Sequence, residues 1–115
     1  MRIATISFGK RKLKAIICKD PIRKFIGLMF SKRKNVLFSF DKECVVSLHM
    51  FFVFYSIGVL FINSRNVVVE KVFLRPFTVY TPKNKAKYVL EIGEKKSLNL
   101  FRRVNIGQRI ELKGL

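Results

Sequence analysis

One stretch of this chain, residues 44–62, contains no Asp, Glu, Lys or Arg. Its length is close to the roughly 20 apolar residues that a membrane-spanning helix requires. However, it is rich in Val, Ile, Phe and Tyr, which fit a pleated sheet better than a helix, and it contains His49, which a lipid-facing helix would exclude. We therefore predict two buried strands around Ser56-Ile57-Gly58 and no transmembrane helix. A single membrane helix is the alternative.

The size and composition favour one folded domain over residues 1–115. Half of the 115 residues are hydrophobic, which excludes a disordered chain and is enough for a single core. Cys18 and Cys44 belong to no metal or disulfide motif, and the first residues lack the apolar segment of a secretory signal. These features predict reduced thiols and a cytoplasmic location.

The chain is strongly basic, with 24 Lys and Arg against seven Asp and Glu and a net charge of +17. The first 35 residues hold eleven of the basic residues and only Asp20. Such a field attracts polyanions. The alternative is that the charges only solubilise the domain and hinder pairing between sheet edges.

Alternating patterns and turn signals predict a mainly β fold. Strands are expected at residues 2–8, 12–18, 36–40, 67–74, 87–92 and 108–112, with turns at 41–43 and 63–66. Asp20-Pro21 is typical of a helix start, and Ile22, Phe25, Ile26 and Met29 follow at helical spacing. A second helix is expected at 94–103, with Leu98 and Phe101 facing inward. About 7–8 short strands with one or two short helices predict a barrel or sandwich.

Several segments, in order, resemble one family. They are Ile26-Gly27-Leu28-Met29-Phe30 and residues 36–40, 48–54, 87–91 and 104–110. The chain is similar there to the prokaryotic family called domain of unknown function 192, or uncharacterised protein family 0127, in its short archaeal form. The resemblance covers about residues 20–112. It implies a compact β-barrel or jelly-roll-like sandwich, argues against a membrane helix, and implies no established activity.

The chain also departs from the family pattern. Members usually carry Pro and Asp around the positions of Ser56 and Gly58, an Asp at Asn63, and Gly-Asp at Gly107-Gln108. These acids are absent here. The resemblance therefore implies that any acid-dependent chemistry of the family is not retained in this chain.

No residue pattern points to an enzyme, a metal or a cofactor. His49 is the only histidine, so one chain cannot form a His-based metal site or a Ser/His pair. Acids spaced for acid–base catalysis and a glycine-rich phosphate loop are both absent. Residues 49–55 are similar to the aromatic platforms that bind single strands, but packing into the core is favoured. Glu91 is assigned to an outward strand face.

Two functional hypotheses follow. The first is a monomeric or weakly associating domain that binds nucleic acid or another polyanion through Arg11, Lys12, Lys14, Arg23, Lys24, Lys32, Arg33 and Lys34. The second is a small-ligand pocket, or an unrecognised enzyme, at a barrel mouth lined by His49, Arg75, Tyr80 and Glu91. Salt separates them, because polyanion binding weakens steeply as salt rises. The expected core anchors are Leu28, Phe38, Met50, Phe52, Phe61 and Val89.

Overall fold

A computed structural model describes residues 2–19, 33–50 and 53–115 of the chain. Its strands are β1 (Ile3–Phe8), β2 (Arg11–Cys18), β3 (Asn35–Cys44), β4 (Leu48–His49), β5 (Ile57–Ile62), β6 (Val68–Leu74), β7 (Val79–Tyr80), β8 (Ala86–Ile92) and β9 (Glu111–Lys113). A 3₁₀ turn (Lys95–Ser97) leads into the helix α1 (Leu98–Arg103). The predicted mainly β fold is confirmed.

Seven of these strands form one curled sheet, a half-barrel, in the order β6-β5-β8-β3-β2-β1-β9. Its neighbours run antiparallel except β2 and β3, which are parallel. The strands β4 and β7 form a separate pair, which we call the cap. The helix predicted after Asp20-Pro21 and the predicted anchors Leu28 and Phe52 lie outside the described residues.

The two ends of the curled sheet are joined by backbone hydrogen bonds. The Val68 amide donates to the Gln108 carbonyl at 2.9 Å, and the Gly107 amide donates to the Val68 carbonyl at 2.7 Å. Ile110 and Asn66 are joined in the same way at 2.8 Å. The start of β6 is therefore covered by the residues that precede β9, and β9 itself begins later than the strand predicted at 108–112.

One face of the sheet, which we call the inner face, packs against α1. In the strand register Leu37 lies opposite Leu90, and Leu90 lies opposite Leu60. All three side chains are fully buried. The helix covers them with Leu98 and Phe101, both buried, as the sequence pattern predicted.

A glycine lets the helix approach the sheet closely. A Cβ atom at Gly58 would lie 2.6 Å from the Phe101 ring, which is closer than real Cβ contacts allow. Gly58 lies inside β5, which begins at Ile57. The prediction that Ser56-Ile57-Gly58 separates two strands is therefore wrong in position. The break precedes Ile57, and β4 has only two residues.

Lys71 secures the other end of α1. Its Nζ donates to the carbonyls of Phe101 at 3.0 Å and Val104 at 2.7 Å. These groups belong to the last turn of the helix, where carbonyls lack helical partners and a cation is favourable. Burial lowers the pKa of Lys71. A residue of β6 thus provides the hydrogen-bond donor for the C-terminal end of the helix.

The other face of the sheet, which we call the outer face, packs under the cap. Phe38, Val89 and Phe61 lie opposite one another in the register and are buried. Two further buried side chains come from the cap segment: Leu48 in β4, and Met50, which directly follows β4. The predictions that Phe38, Met50, Phe61 and Val89 are core residues are therefore confirmed.

β3 continues through residues 41–43, where the sequence predicted a turn. The Glu43 carboxylate accepts hydrogen bonds from the Ser64 amide at 2.7 Å and the Ser64 hydroxyl at 2.8 Å. These bonds hold the polar end of β3 against the predicted 63–66 turn, and they keep the pKa of Glu43 below its ordinary value. The register shifts between Ser39 and Cys44. Long-range partners thus extend a strand through a locally turn-like sequence.

No helix in the described ranges is long and apolar enough to cross a bilayer. The uncharged stretch instead supplies the end of β3, the strand β4 and the buried strand β5. The two thiols, Cys18 and Cys44, end β2 and β3 and are partly buried.

Candidate nucleic-acid interface

A groove of about 520 Å³ lies between β2 and the 3₁₀ turn. Three lysines line it, and we call it the lysine groove. Its lining residues are Thr5, Lys12, Leu13, Lys14, Glu94, Lys96, Ser97 and Leu100. Three cations and one carboxylate around a single depression favour an anionic ligand.

The alternation of β2 places Lys12 and Lys14 on one face of the strand. Both are exposed, whereas Leu13 and Ala15 between and beyond them are buried. In the register Lys14 lies opposite Thr5 of β1, which also lines the groove. The two lysines are therefore held at a fixed spacing by a paired strand.

Asn35 fixes the two walls of the groove relative to each other. Its side chain is only 4% exposed. The Nδ2 atom donates to the Lys14 carbonyl at 3.0 Å and to the Ser97 hydroxyl at 3.2 Å, while Oδ1 accepts from the Glu94 amide at 3.1 Å. One amide thus joins β2, β3 and the 3₁₀ turn. The sequence alone did not indicate this role for Asn35.

Glu94, the one carboxylate among the described residues that line the groove, is already engaged. Glu94 accepts a hydrogen bond from the Ser97 hydroxyl at 2.8 Å. The Lys96 Nζ lies 3.9 Å from the Glu94 carboxylate; the Lys96 side chain is well exposed and the Glu94 side chain is partly exposed. An exposed pair of this kind contributes little energy. Lys96 is therefore able to turn toward an anion in the groove.

The structure brings together only part of the predicted basic set. Lys12 and Lys14 line the lysine groove, and Arg11 is exposed at the start of β2. Arg33 is exposed and Lys34 is half-buried just before β3. Arg23, Lys24 and Lys32 lie outside the described residues. Lys96 was missed because only the fold brings it next to β2.

Arg33 lies between the groove and the loop before β5. Its guanidinium carbon is 4.8 Å from the centre of the Tyr55 ring, and Nη1 donates to the Gly93 carbonyl at 3.1 Å. Gly93 is adjacent to Glu94, and a Cβ atom there would lie 2.6 Å from the Lys34 carbonyl and 3.0 Å from the Tyr55 ring. Only glycine therefore permits this close assembly.

The structure does not gather the four residues of the alternative pocket at one mouth. His49 lies opposite Val79 in the cap, on the face away from Leu48 and Tyr80. Arg75 is exposed directly after β6, and its carbonyl accepts a hydrogen bond from Thr78. Glu91 lies on the outer face of the sheet, in one row with Val36 and Val59.

Tyr80 is bound to Glu70, a residue that sequence reasoning did not select. Its hydroxyl donates to the Glu70 carboxylate, which also accepts from the amides of Lys83 and Asn84 at 3.0 Å and from Asn84 Nδ2 at 2.9 Å. Burial alone would raise the pKa of Glu70, but these donors hold it below the ordinary value. The bond to Glu70, with burial, raises the pKa of Tyr80 to about 12.

Glu91 is buried, so its assignment to an outward strand face is wrong. It is 7% exposed, and Val36 and Val59 lie on either side of it in the register. Burial raises the pKa of Glu91 to about 8. At neutral pH the carboxyl is therefore mostly protonated. Across the described ranges, no three His, Cys, Asp or Glu side chains converge as a metal site would require.

The model of the family called domain of unknown function 192, described as "Uncharacterized ACR", matches residues 4–112. The chain belongs to this family. The match confirms the resemblance seen in the sequence and extends it from about residue 20 back into β1. The lysine groove is thus built entirely from residues inside the family domain.

Relatives in archaea support the same assignment. This family member is 36% identical over 93 residues to a UPF0127 protein of Pyrococcus furiosus, with 78% of each chain covered. It is 33% identical over 103 residues to a UPF0127 protein of Pyrococcus abyssi, with 85% of each chain covered. Neither relative is named for an activity.

Two solved bacterial structures share the fold. A protein of Sinorhizobium meliloti, described as a candidate transcription regulator, matches with a TM-score of 0.82 over 99% of this chain and 95% of that one, at 22% identity. A protein of unknown function from Novosphingobium aromaticivorans matches with a TM-score of 0.75 over 95% and 83%, at 14% identity. At these identities the likeness concerns the fold alone.

Proposed function

We propose that this protein binds an anionic partner, with nucleic acid as the first partner to test, through the lysine groove. The observation that carries the proposal is the convergence of Lys12, Lys14 and Lys96 on one groove whose walls are joined by Asn35. A ligand with regularly spaced phosphates matches cations held at fixed spacing along a strand.

The net charge of +17 adds a long-range attraction to this local one. Lysines that neutralise phosphates release condensed counterions, which supplies most of the free energy of non-specific binding. Contacts of this kind fix position on the backbone and carry no sequence information directly. We therefore expect binding that depends on salt and is largely independent of sequence.

The alternative of a ligand pocket or enzyme built on His49, Arg75, Tyr80 and Glu91 has less support. The Tyr80 hydroxyl is engaged by Glu70, and His49 projects from the other face of the cap. The two cap residues of this set, His49 and Tyr80, therefore face opposite sides of the cap.

Fluorescence anisotropy with a labelled DNA duplex tests the proposal. The variant carries Lys12→Glu and Lys14→Glu, and a control carries Arg103→Glu and Arg109→Glu, two exposed positions that do not line the groove. Both change the net charge equally. If each groove lysine neutralises one phosphate, the first variant should lower the slope of log affinity against log salt by roughly 1.8, at about 0.9 per phosphate. The control should change it little.

Two results would overturn the proposal. One is the absence of detectable binding to duplex and single-stranded DNA at about 50 mM salt, where counterion release favours binding most. The other is an equal loss of affinity in the two variants, since this would assign the effect to net charge and not to the groove. Circular dichroism confirms beforehand that both variants are folded.

A further inference from the structure

We infer that the nucleic acid is single-stranded and that its bases stack on Phe54 and Phe77, while its backbone occupies the lysine groove. This inference rests on the proposed function. It adds the class of nucleic acid and a second contact surface, the aromatic patch, which consists of Phe54, Phe77 and Val79.

The aromatic patch is exposed although its residues are apolar. The exposed fractions are 63% for Phe54, 53% for Phe77 and 62% for Val79. The two rings meet edge to face, with centroids 5.5 Å apart and planes at 75°. Neighbouring Met50 and Val53 are buried. Packing therefore accounts for Met50 and Val53, whereas most of the Phe54 side chain is exposed to solvent.

The backbone holds Phe77 in an unfavourable conformation. Its φ is +63°, in the left-handed region that a bulky side chain rarely adopts. Two backbone hydrogen bonds maintain it, from the Phe77 amide to the Met50 carbonyl at 2.8 Å and from the Met50 amide to the Thr78 carbonyl at 2.7 Å. The ring is half exposed, so burial offsets little of the strain. Strain of this kind is characteristic of binding sites.

Basic residues outnumber acidic ones in the segments around the aromatic patch. Glu70 is the only Asp or Glu in residues 44–90, and its carboxylate is engaged by Tyr80, Lys83 and Asn84. The same range contains Arg65, Arg75, Lys83, Lys85 and Lys87, whereas its Lys71 is bound to α1. An anionic partner is therefore complementary to the surroundings of the aromatic patch. A second copy of the chain is not, because two molecules of +17 charge repel each other.

Arg33 connects the aromatic patch to the lysine groove. On one side it lies over Tyr55, the neighbour of Phe54, and on the other it binds the Gly93 carbonyl next to Glu94 of the groove. Arg33 therefore lies between Tyr55, which precedes β5 next to Phe54, and Gly93, which precedes Glu94 of the groove. A single strand requires such a path, a basic track for phosphates with aromatic faces beside it.

The bases of a duplex cannot stack on the aromatic patch, because they are already stacked on one another. Unpaired bases present free faces to phenyl rings, and such stacking is tolerant of sequence. An anionic membrane is the other occupant to exclude, since exposed Phe and Val also insert into lipid. Three groove lysines, Arg33 and two exposed rings, in this order, favour a single strand of nucleic acid over a membrane surface.

Anisotropy titrations of the full chain test this inference. The probes are a labelled oligothymidine of about 16 nucleotides, near the upper limit for one small β-domain, and a duplex of the same length. The variants are Phe54→Leu, which keeps apolar area without the ring, and Phe77→Asn, which tolerates the left-handed backbone. The matched control is Ile106→Ala, an apolar residue 62% exposed in the turn before β9.

Each patch variant should weaken single-strand binding by roughly 5- to 150-fold, as expected for the loss of one stacked base. Duplex affinity and the salt slope should stay unchanged, since no phosphate contact is removed. Ile106→Ala should change neither. The melting temperature of Phe77→Asn should stay close to that of the unaltered chain, because relief of strain opposes the loss of the half-exposed ring.

The outcomes separate the two proposals. If the unaltered chain binds neither probe, the proposed function fails. If it binds both probes and the patch variants bind single strands normally, the inference is wrong and the proposed function stands. Vesicles containing phosphatidylserine provide the last arm. Vesicle binding that is lost on Phe54→Ser, with single-strand binding unaffected, would overturn the inference in favour of a membrane.

Discussion

The two faces of the curled sheet are buried by different means. The inner face is covered by α1 and consists of apolar rows such as Leu37, Leu90 and Leu60. The outer face lies under the cap and includes two buried carboxyl groups, Glu70 and Glu91. The helix-covered face follows the ordinary rule for a core. The titratable groups and the aromatic patch are found on the side covered by the cap.

The two carboxyl groups of the outer face differ in the direction of their pKa shifts. The Glu70 carboxylate accepts hydrogen bonds from four donor groups of Tyr80, Lys83 and Asn84 at the edge of the sheet. Glu91 lies among valines, and its pKa is raised to about 8. One group is stabilised as an anion and the other as an acid. The pKa values of two glutamates in one layer are therefore shifted in opposite directions, because among the described residues only Glu70 has hydrogen-bond donors.

The largest effects should come from cutting into either face. Leu60 and Phe61 are adjacent on β5, point to opposite faces and are fully buried. We expect Leu60→Ala to lower the free energy of unfolding by about 2–5 kcal/mol and Phe61→Ala by about 3–5 kcal/mol. Urea denaturation measures both. A loss below about 1 kcal/mol for Phe61→Ala alone would show that the cap does not form a true core.

The next effect concerns Glu91 and depends on pH. A raised pKa means that the folded state retains a proton that the unfolded state releases. The contribution of Glu91 to stability is thus fully present below its ordinary pKa of 4.5 and is lost as the pH rises through about 8. Glu91→Gln should remove this dependence and make the protein more stable than the unaltered chain above pH 8, by a few kcal/mol. Parallel pH profiles of the two proteins would contradict it.

A smaller effect of opposite sign is expected at Glu70. Its lowered pKa means that its contribution to stability is present above the ordinary pKa of 4.5 and is lost on acidification. Tyr80→Phe removes one donor, so we expect a loss of about 1.5–3 kcal/mol at neutral pH. The loss should shrink as the pH falls below 4.5. Thermal melts across this range test the sign, and a loss that grows on acidification would reverse it.

The smallest effect is expected at the aromatic patch. Phe77→Gly relieves the left-handed strain and removes a half-exposed ring. The two terms oppose each other, and we expect a change in stability within about 1 kcal/mol of zero. Denaturant midpoints provide the measurement. A loss of 3 kcal/mol or more, as for a buried Phe, would make the ring part of the core and remove the argument that it is displayed for a ligand.

The strands with clear alternation were predictable from the sequence. β1, β2, β6 and β8 begin and end within a residue or two of their predicted positions, because a paired strand with one strongly apolar face repeats every two residues. The alternating Lys12 and Lys14 also indicated one wall of the lysine groove. Local pattern was sufficient where the function of a residue depends on its own strand.

The remainder depends on pairings between distant segments. Lys96 meets β2, and Asn35 joins both walls of the groove, only after the sheet has formed. Glu91 was misassigned because alternation shows only that its side chain lies on the face opposite to Leu90. It does not show whether that face is exposed to solvent. In this sheet the cap buries the second face as well. The exposure of Phe54 was not predictable either, because an apolar composition favours packing into the core and does not show which ring of the segment stays exposed.

The hydrogen bonds from Lys71 to the last turn of α1 have a consequence for the order of folding. An isolated helix of six residues is far below the length of about 12–15 that is marginal in water. α1 therefore gains its stability from β5, where Gly58 receives Phe101, and from β6, which provides Lys71. Both strands must already be paired when the helix forms. We expect α1 to be unstructured in the folding transition state, so that replacing Lys71 accelerates unfolding and leaves the rate of folding nearly unchanged.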